Sequence, residues 1–172
     1  MSAFVGRAFA NIGWSASPDL YAAFQGMPYI KDGTSSKLIY VLTTPWCPKS
    51  PELFRDSRGV VESGQVSLAW IPFSGGQPEG SNAVQAFLEK SDKSSEIQSM
   101  FIGIKTGTAK GITPLADEMD HLVVTKLERM IIRDTGMGIK TPTLVYAIGN
   151  SVRIIPGAIN KEDIEKVAAS II

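Results

Sequence analysis

Residues 37–51 read KLIYVLTTPWCPKSP, and the fold of the whole chain is decided there. Lys37–Thr43 is rich in strand-favouring types, and its near-continuous apolar run suits a strand covered on both faces. Thr44-Pro45-Trp46-Cys47-Pro48-Lys49-Ser50-Pro51 cannot prolong it, because each proline removes a ladder donor. A helix is expected over about Pro48–Val61, closed by Ser63-Gly64. Gln65–Phe73 (QVSLAWIPF) then reads as a second buried strand. Strand, turn, helix and strand in this order predict a parallel pair with a right-handed crossover.

Working downstream, Ser74–Gly80 is a Gly/Pro loop, followed by three expected helices, Asn82–Lys90, Ser94–Ile104 and Pro114–Arg133. The last is the most regular. Thr113 stands as its cap, Pro114 at its first position, and Leu115, Met119, Leu122, Val123, Leu127 and Met130 fall near helical spacing. Thr135–Gly138 breaks it. Thr143–Ile148 and Ser151–Ile155 are strands joined by Gly149-Asn150, a two-residue hairpin signal. Asn160–Ile172 is a closing helix, with Asn160 as cap and Asp163 three residues on.

Upstream, Ser17-Pro18-Asp19-Leu20 has the marks of a helix start: a capping serine, proline at the first position, and an acid at the positive end of the dipole. That helix should end near Gln25. Lys31–Ser36 (KDGTSS) reads as a polar linker. Residues 1–36 are therefore expected to form a short helical arm. Residues 37–172 form an α/β domain with a helical insertion at about 79–138.

Composition narrows the function. The 172 residues suit one domain, and 17 basic residues balance 17 acidic ones. No basic field exists to hold nucleic acid. No apolar stretch reaches the ~18 residues of a membrane span. MSAFVGRAF lacks the layout of a signal peptide, since Arg7 follows the apolar residues and no long apolar core appears. One cysteine and one histidine, His121, are present. An intrachain disulfide is therefore impossible, a multi-thiolate metal site is excluded, and no cofactor is implied.

The single thiol, Cys47, sits between a strand end and a helix start. Backbone N–H groups at such a helix terminus, and its dipole, favour an anion such as a thiolate. Lys49 adds a positive charge nearby, and Trp46 offers an apolar wall for a peptide. The competing reading is a buried cysteine acting as a small hydrophobe. The prolines flanking Trp46-Cys47 argue against burial within a regular element, and a reactive, partly accessible thiol is expected. Other cysteine chemistries fit less well. Thr44-Pro45-Trp46-Cys47 matches the Thr-x-x-Cys fragment of peroxiredoxins, but Tyr40 stands where their pattern wants proline. A Cys-x5-Arg phosphate loop fails at Leu53. A Cys/His dyad would need His121, which falls on the long polar-faced helix and is read as a solvent-facing or helix-packing residue. KTGTAKG (105–111) lacks the spacing of a phosphate loop.

Three blocks carry a resemblance: KLIYVLTTPWCPKSPEL, ESGQVSLAWIPF and IKTPTLVYAIGNSVRIIPGAINKEDIEKV. From Lys37 to the C-terminus the chain resembles the thioredoxin-fold catalytic domains of periplasmic disulfide isomerases of the DsbC/DsbG type. The resemblance implies a thioredoxin-like fold: β-α-β, a helical insertion, then β-β-α. It implies that Cys47 is the nucleophile, and that Pro48 and Lys49 are the two residues that tune it. It further implies that Thr141 and Pro142 are the Thr–cis-Pro pair against the active site, beside which a substrate peptide docks by strand addition.

The chain departs from that pattern at Ser50, where the family has its second cysteine. A serine hydroxyl cannot attack a mixed disulfide, so the dithiol cycle is closed. What remains is exchange through Cys47 alone, as a monothiol isomerase or as a reductant of oxidised protein cysteines. The resolving partner would be an external thiol or a membrane reductase. The resemblance also implies a periplasmic setting, although a cytoplasmic one stays open. Residues 1–36 look like the family's linker helix without its dimerisation domain, either removed or never present in this relative, and a monomer is expected. The alternative class is a non-enzymatic peptide-binding or chaperone module using Trp46, Thr141 and Pro142. Ser50 would then mark lost activity, or a serine variant of a dithiol enzyme.

Overall fold

The computed structural model describes residues 12–76 and 114–171. The expected helices Asn82–Lys90 and Ser94–Ile104, and the Thr113 cap, lie outside the described residues. The described elements are β1 (Trp14–Ala16), α1 (Pro18–Gln25), β2 (Ile30–Asp32), β3 (Leu38–Thr43), α2 (Lys49–Asp56), α3 (Arg58–Glu62) and β4 (Ser67–Pro72). They are followed by α4 (Pro114–Leu122), a π-helical stretch (Val123–Glu128), α5 (Arg129–Thr135), β5 (Thr143–Ile148), β6 (Ser151–Pro156) and α6 (Lys161–Ser170).

Six strands form one sheet in the order β1-β6-β5-β3-β4-β2. The β3–β4 pair is parallel, with Leu38 opposite Ser67 and Thr43 opposite Pro72, as the strand–helix–strand pattern requires. β5 runs antiparallel to β3 and to β6. The Gly149-Asn150 link closes that hairpin with positive φ at Gly149 only, the requirement of a type II′ turn.

Alternation along the strands divides the core. Ile39, Val41, Leu68, Trp70, Leu144 and Tyr146 face Leu53 and Phe54 of α2, Val60 and Val61 of α3, and Ile164 and Val167 of α6. The intervening residues Tyr40, Leu42, Ala69, Ile71, Val145 and Ile154 face Leu20 and Phe24 of α1 and Met119, Val123, Leu127 and Ile131 of the long helical run. With helices on both faces, all six residues of β4 are buried, which explains why this strand reads as an unbroken apolar run.

Several elements differ from the sequence reading. Residues 14–16 and 30–32 are the two edge strands of the same sheet, β1 on β6 and β2 on β4. Lys31 and Asp32, read as the start of a linker, thus pair with Ala69 and Leu68. Three-residue edge strands are too short to show a period. Asp32 is also polar, yet buried, because it accepts from Arg58 Nη1 (3.1 Å), Arg58 Nη2 and Trp70 Nε1 (3.1 Å). Ser17 takes the N-cap position of α1 without capping it: its N–H (2.9 Å) and hydroxyl (3.0 Å) both donate to the Asp134 carboxylate. The helix expected over Pro48–Val61 divides at Ser57. The run expected over Pro114–Arg133 continues to Thr135, passing through the π-helical stretch and ending on left-handed Gly136. Asn160 does cap α6, accepting from Asp163 N at 2.8 Å.

Candidate functional site

The site is assembled at the end of the sheet where β3 stops and β5 begins. β3 delivers Thr43, and the next residues turn tightly, the Cys47 N–H donating to Thr44 O at 3.2 Å. Pro48 occupies the N-cap position of α2 in a helical conformation. Cys47 therefore stands just ahead of the first turn of the helix, where the sequence placed it. The Ser50 N–H closes that turn on Cys47 O at 3.4 Å.

Across the gap, the Thr141–Pro142 peptide bond is cis. The Cys47 thiol donates to Thr141 O at 3.3 Å, and the Thr44 and Thr141 hydroxyls are 3.3 Å apart. The two segments are 94–97 residues apart in sequence and meet as the resemblance implied. The Pro142 carbonyl accepts from Gly157 N at 2.9 Å, which fastens the loop to the far end of the hairpin.

Exposure divides the expected residues. Trp46 is 46% exposed, and Pro48 and Lys49 are exposed beside it. The Lys49 ammonium pairs with Glu52 at 3.2 Å. Thr141 is half-buried and Pro142 is buried. Cys47 departs from expectation. The sequence predicts a partly accessible thiol, and the residue is only 6% exposed, because its sulfur turns inward onto Thr141 O. Cys47 nonetheless joins neither apolar cluster of the core; its sulfur meets the Thr141 carbonyl, and its backbone bonds Thr44 O and Ser50 N–H.

Ser50 is fully buried and accepts from Thr43 Oγ1 at 2.6 Å. Among the described residues its hydroxyl makes no hydrogen bond to the Cys47 sulfur. Its partner is Thr43, at the last position of β3.

Two residues that sequence reading passed over complete the rim. The Trp46 indole N–H donates to Ser74 O at 2.7 Å. Ser74 is itself held by Asp120 of α4, to which its N–H (2.7 Å) and its hydroxyl donate. The Ser-Gly-Gly sequence after β4 was a signal for a tight turn, but nothing local tied it to an acid 46 residues on. His121, next to Asp120, is exposed as read, and no group of potential metal ligands gathers among the described residues.

No family model and no curated protein sequence matches the chain. Solved structures do. The catalytic domain of Proteus mirabilis ScsC superposes with a TM-score of 0.57 at 16% identity, covering 88% of this chain and 94% of that one. A periplasmic thioredoxin-like protein from Salmonella enterica serovar Typhimurium gives 0.56 at 15% identity, covering 89% and 95%. A disulfide interchange protein from Neisseria gonorrhoeae gives 0.55 at 16%, covering 83% and 94%. Identities this low speak for architecture alone, and on that ground, together with the β3-α2-β4 and β5-β6-α6 halves and the joining of Cys47 to a cis-proline loop, the chain is an α/β protein of thioredoxin-like fold.

Proposed function

We propose that the protein is a thiol–disulfide exchange protein of the DsbC/DsbG-like kind, working through Cys47 alone on cysteine-bearing proteins or peptides. The observation that carries this reading is a buried thiol that joins neither apolar cluster and faces the backbone of the cis-proline loop at 3.3 Å. A cysteine used as a small hydrophobe would sit within one of the apolar clusters.

The chemistry follows from the contacts. Loss of the thiol proton to solvent removes the bond to Thr141 O and leaves two electron-rich atoms 3.3 Å apart, which frees the sulfur from the loop. The thiolate attacks one sulfur of a substrate disulfide. A Cys47–substrate bond forms, the substrate S–S bond breaks, and the departing sulfur leaves as a thiolate that takes up a proton. Ser50 cannot reverse the adduct. It ends when a second substrate thiolate attacks the substrate sulfur, which isomerises the substrate without net electron change. An external thiol, or a membrane reductase, can end it instead by net reduction. Trp46, Pro48 and Lys49 form the exposed rim that meets the peptide, and Thr141 and Pro142 offer it backbone. Periplasmic company among the structural neighbours supports a periplasmic site of action for a monomer with no cofactor.

The test is direct. The protein is mixed with a disulfide-bonded peptide and analysed by mass spectrometry, with and without glutathione. One peptide adduct on Cys47, cleared by glutathione, is expected, together with glutathione-dependent recovery of a scrambled disulfide protein. Absence of any adduct in the native protein would leave only peptide binding without chemistry.

A further inference from the structure

We infer that Asp120 is a positioning residue for the substrate-facing rim: acting through Ser74, it fixes the Trp46 indole beside Cys47 and so sets peptide recognition. The inference rests on the proposed function in one respect, that a peptide meets Trp46.

A tryptophan 46% exposed gains little from burial, yet this one is tied at its indole edge. Its Nε1–H donates to Ser74 O at 2.7 Å. Gly75, in the left-handed region at φ +65°, lies so close that a Cβ there would come within 3.0 Å of Trp46 Cζ2 and 3.3 Å of Thr44 Cγ2. The backbone of residues 74–75 thus forms a seat for the indole, and only glycine leaves room for it.

That seat has no strand to hold it, since β4 ends at Pro72. Asp120 holds it. Both donors of Ser74, the N–H at 2.7 Å and the hydroxyl, point at the one carboxylate, and the hydroxyl oxygen in turn accepts from Gly76 N at 3.1 Å. An ionised carboxylate is an acceptor only, so it can satisfy both donors at once. Ser74 is 1% exposed; without Asp120 its N–H would be left unpaired away from water, and the turn would move to find a partner. The Ser74 carbonyl would move with it and release Trp46. Asp120 lies next to Met119, which is 1% exposed in the core beneath α4, so the tether runs from packed helix to active-site rim.

The experiment uses the full chain and two readouts. Indole N–H exchange is followed by NMR, with the Trp46 signal assigned through Trp46→Phe. Cys47 is reacted both with a disulfide peptide over a range of concentrations and with iodoacetamide. In Asp120→Ala the Trp46 indole should exchange about tenfold faster, the equivalent of one ordinary hydrogen bond lost, while the Trp14 and Trp70 signals hold. The peptide concentration for half-maximal rate should rise about fivefold to tenfold. The iodoacetamide rate should stay within about twofold, because that reagent needs no rim. Asp120→Asn, which keeps one acceptor for Ser74 N–H, should fall between, and it serves if the alanine variant fails to fold. In a Trp46→Phe background Asp120→Ala should add nothing to the peptide defect. Unchanged Trp46 exchange in both Asp120 variants overturns the inference, as does an additive double variant. If the native protein forms no peptide adduct, the proposed function fails, and the indole signal still decides the tether.

Discussion

Replacing Ser50 by Cys should convert a protein that traps substrates into one that releases them. In the native chain no second thiol exists, so a Cys47–peptide disulfide waits for an outside thiol. In Ser50→Cys the new sulfur starts one helical turn along, in the turn closed by Ser50 N–H on Cys47 O at 3.4 Å. Well-oriented intramolecular pairs reach effective concentrations of about 10⁵ M and above. Even a poorly aligned pair at about 1 M would outpace 1 mM external thiol by about 10³-fold. Alignment decides between these values, because the Ser50 hydroxyl is engaged with Thr43 Oγ1 at 2.6 Å and not with the Cys47 sulfur. The substitution breaks that buried bond at a cost of about 1 kcal/mol, or a fall in Tm of about 2–4 °C for a chain of this size. A thiol group hydrogen-bonds Thr43 far more weakly than a hydroxyl does, so the new side chain is free to rotate toward Cys47. The assay loads both proteins with the same disulfide peptide, removes free reagent, and follows adduct decay by mass spectrometry without added thiol. The variant should clear within the time in which the native adduct is unchanged, leaving an internal disulfide between Cys47 and the introduced thiol. Equal decay in the two proteins would mean that position 50 cannot reach Cys47, and the exchange mechanism proposed for the site would have to be given up.

Other perturbations separate the site from its support. Thr141→Val removes the 3.3 Å hydroxyl contact with Thr44 while keeping the carbonyl that meets the thiol; the half-maximal peptide concentration should rise severalfold, and thermal unfolding should register about 1 kcal/mol or less. Asp32→Ala leaves Arg58 and the Trp70 indole without their shared acceptor at the opposite end of the sheet. About 3 kcal/mol of stability should go, seen as a Tm about 6–12 °C lower, with the Cys47 alkylation rate of the folded protein unchanged. Arg133 bonds the carboxylates of Asp19 (2.7 and 2.9 Å) and Asp134 (2.7 and 3.2 Å) and holds both below the ordinary value of 3.8. A carboxyl depressed in the folded state contributes stability above its ordinary value and loses it as pH falls below. Urea midpoints should therefore drop as pH falls below the ordinary value of 3.8, and Arg133→Ala should flatten that limb.

The legible part of the fold was the part written in long apolar runs or in strong punctuation. Leu38–Thr43 and Thr143–Ile148 are buried central strands, and Gly149-Asn150 and Asn160 act locally, within two or three residues of the backbone they shape. Cys47 between its prolines was legible as a strand-to-helix junction for the same reason, whereas Thr141-Pro142 was reached only through the resemblance. The edge strands were not. Trp14–Ala16 has two exposed residues of three, and Ile30–Asp32 hides an acid whose burial makes sense only once Arg58, 26 residues later, is in place. The inward turn of the thiol and the Ser74–Asp120 tether were hidden by separation. They depend on partners 94 and 46 residues away, and no local pattern of residue types reports a contact made across such a separation, whether to a backbone carbonyl as at Thr141 or to a carboxylate as at Asp120.

A protein with one thiol cannot change the redox state of a substrate and return to its starting form unaided, so whatever selectivity it has must lie in recognition and in the lifetime of the adduct. The side chains around Cys47 are arranged for that. Thr43 holds Ser50 from below, Thr44 meets Thr141 across the gap, Ser74 holds Trp46, and the Thr141 carbonyl holds the sulfur itself. Each tie fixes a group on the rim or floor, and none delivers a second nucleophile. Ser50 accepting from Thr43 keeps a polar atom satisfied in a position with no access to water, where an unpaired hydroxyl would be costly. The same position filled by cysteine would trade that satisfied bond for a releasing thiol. Under the exchange proposed for Cys47, a fast exit is given up for a firmly held site, and the choice of when to let go lies with the partner thiol rather than with the chain.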